Sequence, residues 1–395
     1  MRFSIRRWVM AGILTLAGLG LVSNTAAQTA PDVPGLWDEA SVYRDEFGTP
    51  HVQASSLRGM AFGFGYAQAE DHLETMLMAY RLALGRAAAV GGEAFADSDA
   101  FAIRIANAET TRNAMSSIDG ETLALCEGFA LGVNSWIFSH QDEVPDWVEG
   151  VQPMDVLAYW HYLMVTSAPL DLPTAYQPER PFKQGNAWAL APQKTLDGKT
   201  LLVMNPHQHY RAPFQWYEAH LMLGPLNWAG ATLVGVPVLL MGHNEHLGWA
   251  LTPNEADIAD VFREDMRGPA RAANDPTLPS IMDDMAPILS FMSTAKTYYV
   301  RTDNGLEERS APSYVGARGP MLEGGDGGLY SWRNGAYGQF GGMAQLLRMA
   351  QSTNLAAFQE AMLMHQLPCF QVLYGDAAGN LFYLYNARLG NKNAA

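Results

Sequence analysis

A chain of 395 residues, 48% hydrophobic and 16% charged, carries enough apolar side chain for one large or two ordinary packed domains, which excludes a disordered or fibrous protein. Its formal charge of -15 argues against nucleic acid and against an anionic membrane surface as partners. Two cysteines, Cys126 and Cys369, are too few for a disulfide scaffold; one bridge and two separate buried thiols both fit the sequence.

Residues 1–28 read as a secretory signal. Arg2, Arg6 and Arg7 precede an apolar run from Val9 to Val22, and Ala26-Ala27 lie near a small-residue cleavage site. The run is short for a transmembrane helix. The mature chain is therefore expected to be periplasmic or secreted, without membrane contact once the signal is removed.

Residues 29–166 predict a helix-rich part. Arg44-Asp45-Glu46-Phe47-Gly48-Thr49-Pro50-His51-Val52 first reads as a strand, a glycine turn and a second extended stretch. Behind Phe64 to His72, the positions Leu73, Met76, Leu77, Tyr80 and Leu84 have the spacing of a helix with one apolar face. Gly85-Arg86 and Gly91-Gly92 end it. Residues 98–140 continue as helix-like segments broken at Asp119-Gly120, Pro145 to Pro153 is a loop, and Met154 to Val165 predicts another helix.

Residues 167–184, with Pro169, Pro173, Pro178 and Pro181, form a linker. Gln184 to Leu190 then predicts a strand with Ala187 and Ala189 facing one way and Trp188 and Leu190 the other. Asp197-Gly198 is the expected two-residue turn, and Leu201 to Met204 returns into Asn205-Pro206-His207. Trp216 to Leu221 and Trp228 to Val234 read as strands, followed by the Gly235-Val236-Pro237 turn. His243 and His246 have a ligand-like spacing, but in a Gly/Asn-rich turn hydrogen bonding is the preferred reading. Short extended runs from Thr297 to Leu322, a helix pair from Ala344 to Met364 capped near Asn354, and a closing hairpin from Phe370 to Tyr383 complete the chain.

Several of these stretches resemble the penicillin acylase family of N-terminal-nucleophile amidohydrolases. Gly185-Asn186-Ala187-Trp188, its hairpin and Asn205-Pro206-His207 are similar to the start of that family's catalytic chain. Arg44-Asp45 with Gly48 and Pro50-His51, Gly65-Tyr66 with Asp71-His72, Gly242-His243-Asn244 before Trp249, and Arg318-Gly319-Pro320 are similar to its other signatures. The resemblance implies an α+β fold: an αββα sandwich of two antiparallel sheets between helical layers, with residues 185–395 forming the first part of the catalytic domain. It also implies an exported hydrolase of linear amides that takes a small acylated amide.

Residue by residue, the family's Ser nucleophile falls on Gly185, which cannot attack an acyl carbon or drive self-cleavage. His207 matches the neighbour that steadies the nucleophile, beside Asn186. The oxyanion donor position falls on Pro253, which has no N–H. Met76, Tyr80 and Trp188 are the candidate acyl-pocket residues, although plain core packing is the preferred reading of Met76 and Tyr80. No cofactor is required, but Asp257 and Asp260 match carboxylates that bind structural calcium in some members. The family's catalytic chain runs further, so a separate C-terminal fragment is an expected partner. The alternative is a non-catalytic binding protein that keeps the acyl pocket.

Overall fold

The computed structural model describes residues 35–167, 176–207, 213–264, 295–316 and 318–390. The signal-like segment 1–28 and residues 168–175 of the expected linker lie outside the described residues. A short helix α1 (Leu36–Glu39) leads into the antiparallel hairpin β1 (Ala40–Arg44) and β2 (Pro50–Ala54). Ser56 caps the long helix α2 (Leu57–Ala83) by accepting the Gly59 N–H at 3.0 Å. Then follow α3 (Ala88–Gly91), α4 (Ala96–Arg104), α5 (Asn107–Ala114), α6 (Gly120–Ser139) and α7 (Pro153–Val165). Asp119, read from sequence as a break, is the N-cap of α6. Pro153 opens α7, where a missing N–H is no loss.

Helices α2 and α6 approach backbone to backbone. A Cβ on Gly65 or Gly132 would collide with the carbonyl oxygen of Phe129 or Phe62, and one on Gly128 with that of Arg58. These glycines, rather than the apolar stripe of α2, set how close the pair can come. The stripe itself is core: Leu73, Met76, Leu77 and Tyr80 are all buried.

The remaining elements are β3 (Gln184–Leu190), β4 (Leu201–His207), β5 (Trp216–Leu223), β6 (Leu226–Leu233), β7 (Met241–His243), β8 (Leu247–Pro253) and β9 (Ala259–Arg263). After them come β10 (Lys296–Thr302), β11 (Gly305–Ala311), β12 (Val315–Gly316), β13 (Gly319–Glu323), β14 (Leu329–Asn334), α8 (Gly342–Gln351), α9 (Leu355–Met362), β15 (Cys369–Asp376) and β16 (Leu381–Ala387). Eight strands form the main sheet in the order β1-β2-β5-β6-β7-β8-β15-β16. Its pairings are antiparallel except β2 with β5, which corrects the expectation of a purely antiparallel sheet. Helices α2 to α7 and the β3–β4 hairpin lie between those two strands, a crossover long enough to bring the chain back in the same direction.

The two faces of the main sheet are distinct. Trp249 of β8 packs against Phe358 of α9 with ring centroids 6.1 Å apart, and Val42 and Val52 meet Gly63 of α2. On the other face, Gly248 lies under Leu202 and Thr252 under Gly185, so the β3–β4 hairpin covers β8 from the side away from the helices. The layers among the described residues therefore run helices, main sheet, hairpin, in the expected α+β class. Smaller sheets, β10–β11 and β12-β13-β14-β9, flank them. No described helix is long and apolar enough to cross a membrane.

The β3–β4 connection corrects the expected two-residue turn. The strands part at the Leu190–Leu201 pair, and the loop between them holds a 3-10 turn at Pro192–Lys194. Pro192 has no N–H for the ladder, and Thr195 Oγ1 donates to the Lys199 carbonyl at 2.7 Å to close the loop. The cysteines are two buried free thiols. Asn244, between the spaced histidines, does the hydrogen bonding: Nδ2 donates to the Ala350 and Ser352 carbonyls, and Oδ1 accepts from His246 and Leu247.

His161 of α7 is buried with both ring nitrogens bonded. Nε2 accepts the Gly338 N–H at 2.8 Å, and Nδ1 donates to Asn107 Oδ1 at 2.6 Å. Asn107 is fixed in turn, since its Nδ2 donates to the Ala83 and Ala158 carbonyls. Burial pushes the His161 pKa down to about 3.

Two outcomes follow from this packing. Gly132→Ala should lower the unfolding free energy by about 1–3 kcal/mol, because the new methyl meets a helix backbone; urea unfolding checks this. Unfolded imidazole titrates near about 6.5. Between there and about 3 the unfolded chain binds a proton that native His161 does not. Stability should then fall on acidification by up to about 1.4 kcal/mol per pH unit from this group. His161→Gln, which keeps a donor and an acceptor, should show a flatter slope; equal slopes would mean that the native ring takes up the proton.

Candidate functional site

The β3–β4 register places the site. Gly185 pairs with Pro206, Asn186 with Asn205 and Gln184 with His207. A Cβ on Gly185 would lie 3.0 Å from Thr252 Cγ2, 3.5 Å from Thr252 Cβ and 3.4 Å from the Asn205 carbonyl oxygen. The nucleophile position thus faces inward onto β8, in a space already occupied by a methyl group. Pro253 follows Thr252 at the end of β8, and its carbonyl accepts from Gln371 Nε2 at 3.1 Å. Asn254, the next residue, is buried with its amide committed to the Asn386 carbonyl and the Ala256 N–H.

Asn186 and His207 point the opposite way. Asn186 Nδ2 lies 2.9 Å and Asn205 Nδ2 3.3 Å from His207 Nε2, on the exposed face of the hairpin. Successive residues of a strand face opposite sides, so the His207 ring and a side chain at position 185 cannot meet in this register. The expected support of position 185 by His207 is corrected on that ground. Gly185, Thr252 and Pro253 are brought together; Asn186 and His207 form a separate outward pair.

The acyl-pocket candidates also part company. Met76 and Tyr80 lie on the helix side of the main sheet, where Tyr80 Oη donates to the Gly235 carbonyl at 2.9 Å. Burial, aided by Tyr159, raises the Tyr80 pKa well above its ordinary value, which keeps the donor proton in place. Gly235 has φ 91°, and a Cβ there would sit 3.2 Å from the Tyr80 ring, 3.3 Å from that of Tyr159 and 3.4 Å from Met76 Cγ. That cluster is packed core. Trp188 is 55% exposed on the outer face of the hairpin. The three do not converge on one pocket, because helical spacing reports which face of α2 is buried and not what it is buried against.

Asp260 lies in β9 opposite Arg333. It lines a cleft of about 510 Å³ together with Arg318, Arg333 and Arg388, and Asp257 sits in the loop entering β9. Among the described residues no group of three or more His, Cys, Asp or Glu could hold a metal ion. Calcium takes six to eight oxygens, and arginines lining the Asp260 cleft oppose a dication there. The described donor set does not fit calcium.

The N-terminal signatures meet in a cluster that sequence reasoning missed. Arg44 Nη2 lies 2.6 Å from Glu70 Oε2 and 2.9 Å from Asp71 Oδ2, and Tyr217 Oη donates to Asp71 Oδ2 at 2.6 Å. His72 breaks the helical geometry of α2 (φ -146°, ψ 36°). Near that kink, the Ala67 carbonyl accepts from Arg44 and Tyr217. The cluster ties the sheet edge to the helix. Two signatures with opposite charge were the signal that could have joined them.

The family model described as penicillin amidase matches residues 39–394. The chain is similar to the acyl-homoserine lactone acylase PvdQ of Pseudomonas fluorescens (strain Pf0-1), at 24% identity over 421 residues covering 94% of this chain and 53% of that protein. It is also similar to the acyl-homoserine lactone acylase QuiP of the same strain, at 24% identity over 339 residues covering 67% of this chain and 41% of that protein. The chain spans about half the length of the curated relatives it matches. Among solved structures, the orthorhombic form of a thermostable penicillin G acylase from Alcaligenes faecalis aligns with a TM-score of 0.39 at 18% identity, covering 51% of this chain and 35% of that one.

The contact between Gly185 and Thr252 can be tested by repacking. Gly185→Ser should lower stability by about 1 kcal/mol in thermal or urea unfolding, and adding Thr252→Ser should restore most of it. An unchanged midpoint for Gly185→Ser alone would mean that position 185 does not face Thr252.

Proposed function

The chain belongs to the penicillin amidase family, and on that premise we propose that it is an exported amide hydrolase by descent whose reaction centre is dismantled at Gly185. The observation that carries this reading is the inward packing of Gly185 on Thr252. A nucleophilic amidase needs a hydroxyl or thiol there, with a base to activate it and donors for the oxyanion. Gly185 supplies no attacking atom. Pro253 supplies no N–H, and one lost oxyanion donor alone typically costs about a hundredfold or more in rate.

The substrate class to which the scaffold answers is a small acylated amide. The names of the relatives PvdQ and QuiP make an N-acyl homoserine lactone the first compound to offer. The binding-only alternative draws less support, because Met76 and Tyr80 pack against Gly235 in the core while Trp188 is exposed on the hairpin, so the three do not line one pocket. The charged start, apolar run and small-residue site in residues 1–28 support export.

A strand-bearing polypeptide is the proposed partner. Trp188, Leu190, Leu201 and Val203 are exposed on the outer face of the β3–β4 hairpin; Leu381, Tyr383 and Tyr385 are exposed on β16, on the same side of the main sheet. A two-stranded layer is marginal by itself, and an apolar surface of this kind marks a contact site.

Intact mass of the purified exported chain should show one polypeptide, uncut before Gly185, with hydrolysis of an N-acyl homoserine lactone at the buffer background. Two fragments, the second beginning at Gly185 and accompanied by turnover, would overturn the reading.

A further inference from the structure

Away from Gly185, the side of the main sheet opposite the helices carries a pair of histidines at its single parallel contact. His51 of β2 and His220 of β5 are register partners. Their rings meet nitrogen to nitrogen, Nδ1 to Nδ1 at 2.8 Å, with centroids 5.0 Å apart. Tyr43 of β1 stacks on His51 at 4.6 Å. Each outer nitrogen faces an oxygen. His220 Nε2 contacts Asn227 Oδ1, and that amide cannot turn over without loss, because its Nδ2 donates to Glu245 Oε1 at 2.9 Å. His51 Nε2 lies 3.5 Å from Asp45 Oδ2, while Asp45 Oδ1 accepts the N–H groups of Phe47 and Thr49 at 2.9 and 3.0 Å.

The hydrogens do not add up if both rings are neutral. The contacts Asp45 to His51, His51 to His220 and His220 to Asn227 each need one hydrogen between their heavy atoms, and two neutral imidazoles bring only two. If both Nε2 atoms carry hydrogen, the two Nδ1 lone pairs oppose each other at 2.8 Å. If either Nε2 is bare, its lone pair faces an oxygen lone pair instead. One added positive charge removes the conflict.

We propose that His51 and His220 bind one extra proton between them, as an imidazole–imidazolium pair balanced by Asp45, and that the pair is a pH-sensitive clasp holding the β1–β2 hairpin to the main sheet. The geometry favours a proton over a metal ion. Lone pairs aimed straight at each other across 2.8 Å place ring centres roughly 5 Å apart, close to the 5.0 Å found. Two imidazoles on one tetrahedral metal ion, each about 2 Å from it, would instead hold their nitrogens roughly 3.3 Å apart, wider than the 2.8 Å found.

The surroundings suit a cation. Asp45 stands at one end of the chain of contacts and Glu245 at the other, and Glu218 lies two residues before His220 on the same face of β5. Desolvation raises the Asp45 pKa, but the N–H bonds from Phe47 and Thr49 and the His51 ring outweigh it and leave it lowered, so the carboxylate stays charged. His243 of β7, one strand beyond Ala229, is a further imidazole on that face, and Tyr43 covers the other side. The clasp sits at one end of the β2–β5 pairing, which runs only from His51–His220 to Ala54–Leu223. The native pair holds one hydrogen more than two neutral rings. By linkage, raising the pH strips a proton that the native contact needs, and the contact weakens.

The test uses the full mature chain labelled with 15N-histidine. Through a pH titration the His51 and His220 ring signals should change together, in one step that releases one proton per pair. Above that step, amide exchange at Val52, Gln53 and Leu221, corrected for base catalysis, should speed up about tenfold. His220→Gln offers a donor and an acceptor without a titrating nitrogen, and in it the same amides should exchange independently of this step. Two rings titrating separately, each unaffected by loss of the other, would overturn the proposal. So would a stoichiometric metal ion whose removal by chelator moves both ring signals. Because the wild-type titration is read directly, poor folding of the variant leaves the decision intact.

Discussion

A strand presents alternate residues to opposite sides, and the β3–β4 hairpin can bury only one of its faces on β8. Gly185, Ala187, Ala189, Leu202, Met204 and Pro206 take the inner side, and the other alternation is left to solvent. Everything about the site descends from that division. Position 185 is committed to Thr252, which leaves a glycine as the residue that packs there without displacing a neighbour. Asn186 and His207 are committed to the outer side with Trp188, Leu190, Leu201 and Val203. Slipping the hairpin by one residue would bring His207 inward, but it would also drive Trp188 into the sheet below. Burial of Gly185, Ala187 and Ala189 of β3 with Leu202 and Met204 of β4 against the glycine and alanine face of β8 therefore fixes the register.

Much of the fold was legible because local signals agreed with one another. Asp119 and Asn354 were visible as breaks and serve as N-caps, each accepting a backbone N–H three residues on. The stripe from Leu73 to Tyr80 is buried as its period requires. What the sequence hid depends on contacts between distant segments. The parallel pairing of β2 and β5 needs a register that no turn specifies. The Asp197-Gly198 signal was real as a turn, since Gly198 has φ 67°, but Pro192 cannot join a ladder and the strands separate before reaching it.

The site was legible as a set of positions and illegible as a geometry. Motif spacing located Gly185 and Pro253 on strands that do come together, through the contact of Gly185 with Thr252. It could not tell that His207 faces away from position 185, because the parity of a strand is settled by what lies beneath it. Met76 and Tyr80 show the same limit: a 3.6-residue period says that they are buried, and only the tertiary fold reveals that Gly235 fills the space before them. His51 lies in a recognisable motif, but nothing in the sequence pairs it with His220, which the crossover brings beside it.

The main sheet's face away from the helices unites these observations. The hairpin covers it at β8, whereas the part formed by β1, β2, β5 and β6 carries Tyr43, His51, His220 and Asn227 in half-buried or exposed positions. A polypeptide that completed the second β layer beside the hairpin would have to run over that polar row. Covering a charged imidazole pair with apolar strand would carry a desolvation penalty, offset only by the carboxylates already around it. The charge state of the clasp and the closing of the second layer would then be linked: a neutral pair costs less to cover but leaves a hydrogen bond unmade, and a protonated pair keeps its bonds and resists burial. Docking on the apolar outer face of the hairpin over β8 and proton uptake at β2 and β5 are in this way two demands on one surface, and β6 and β7 lie between them.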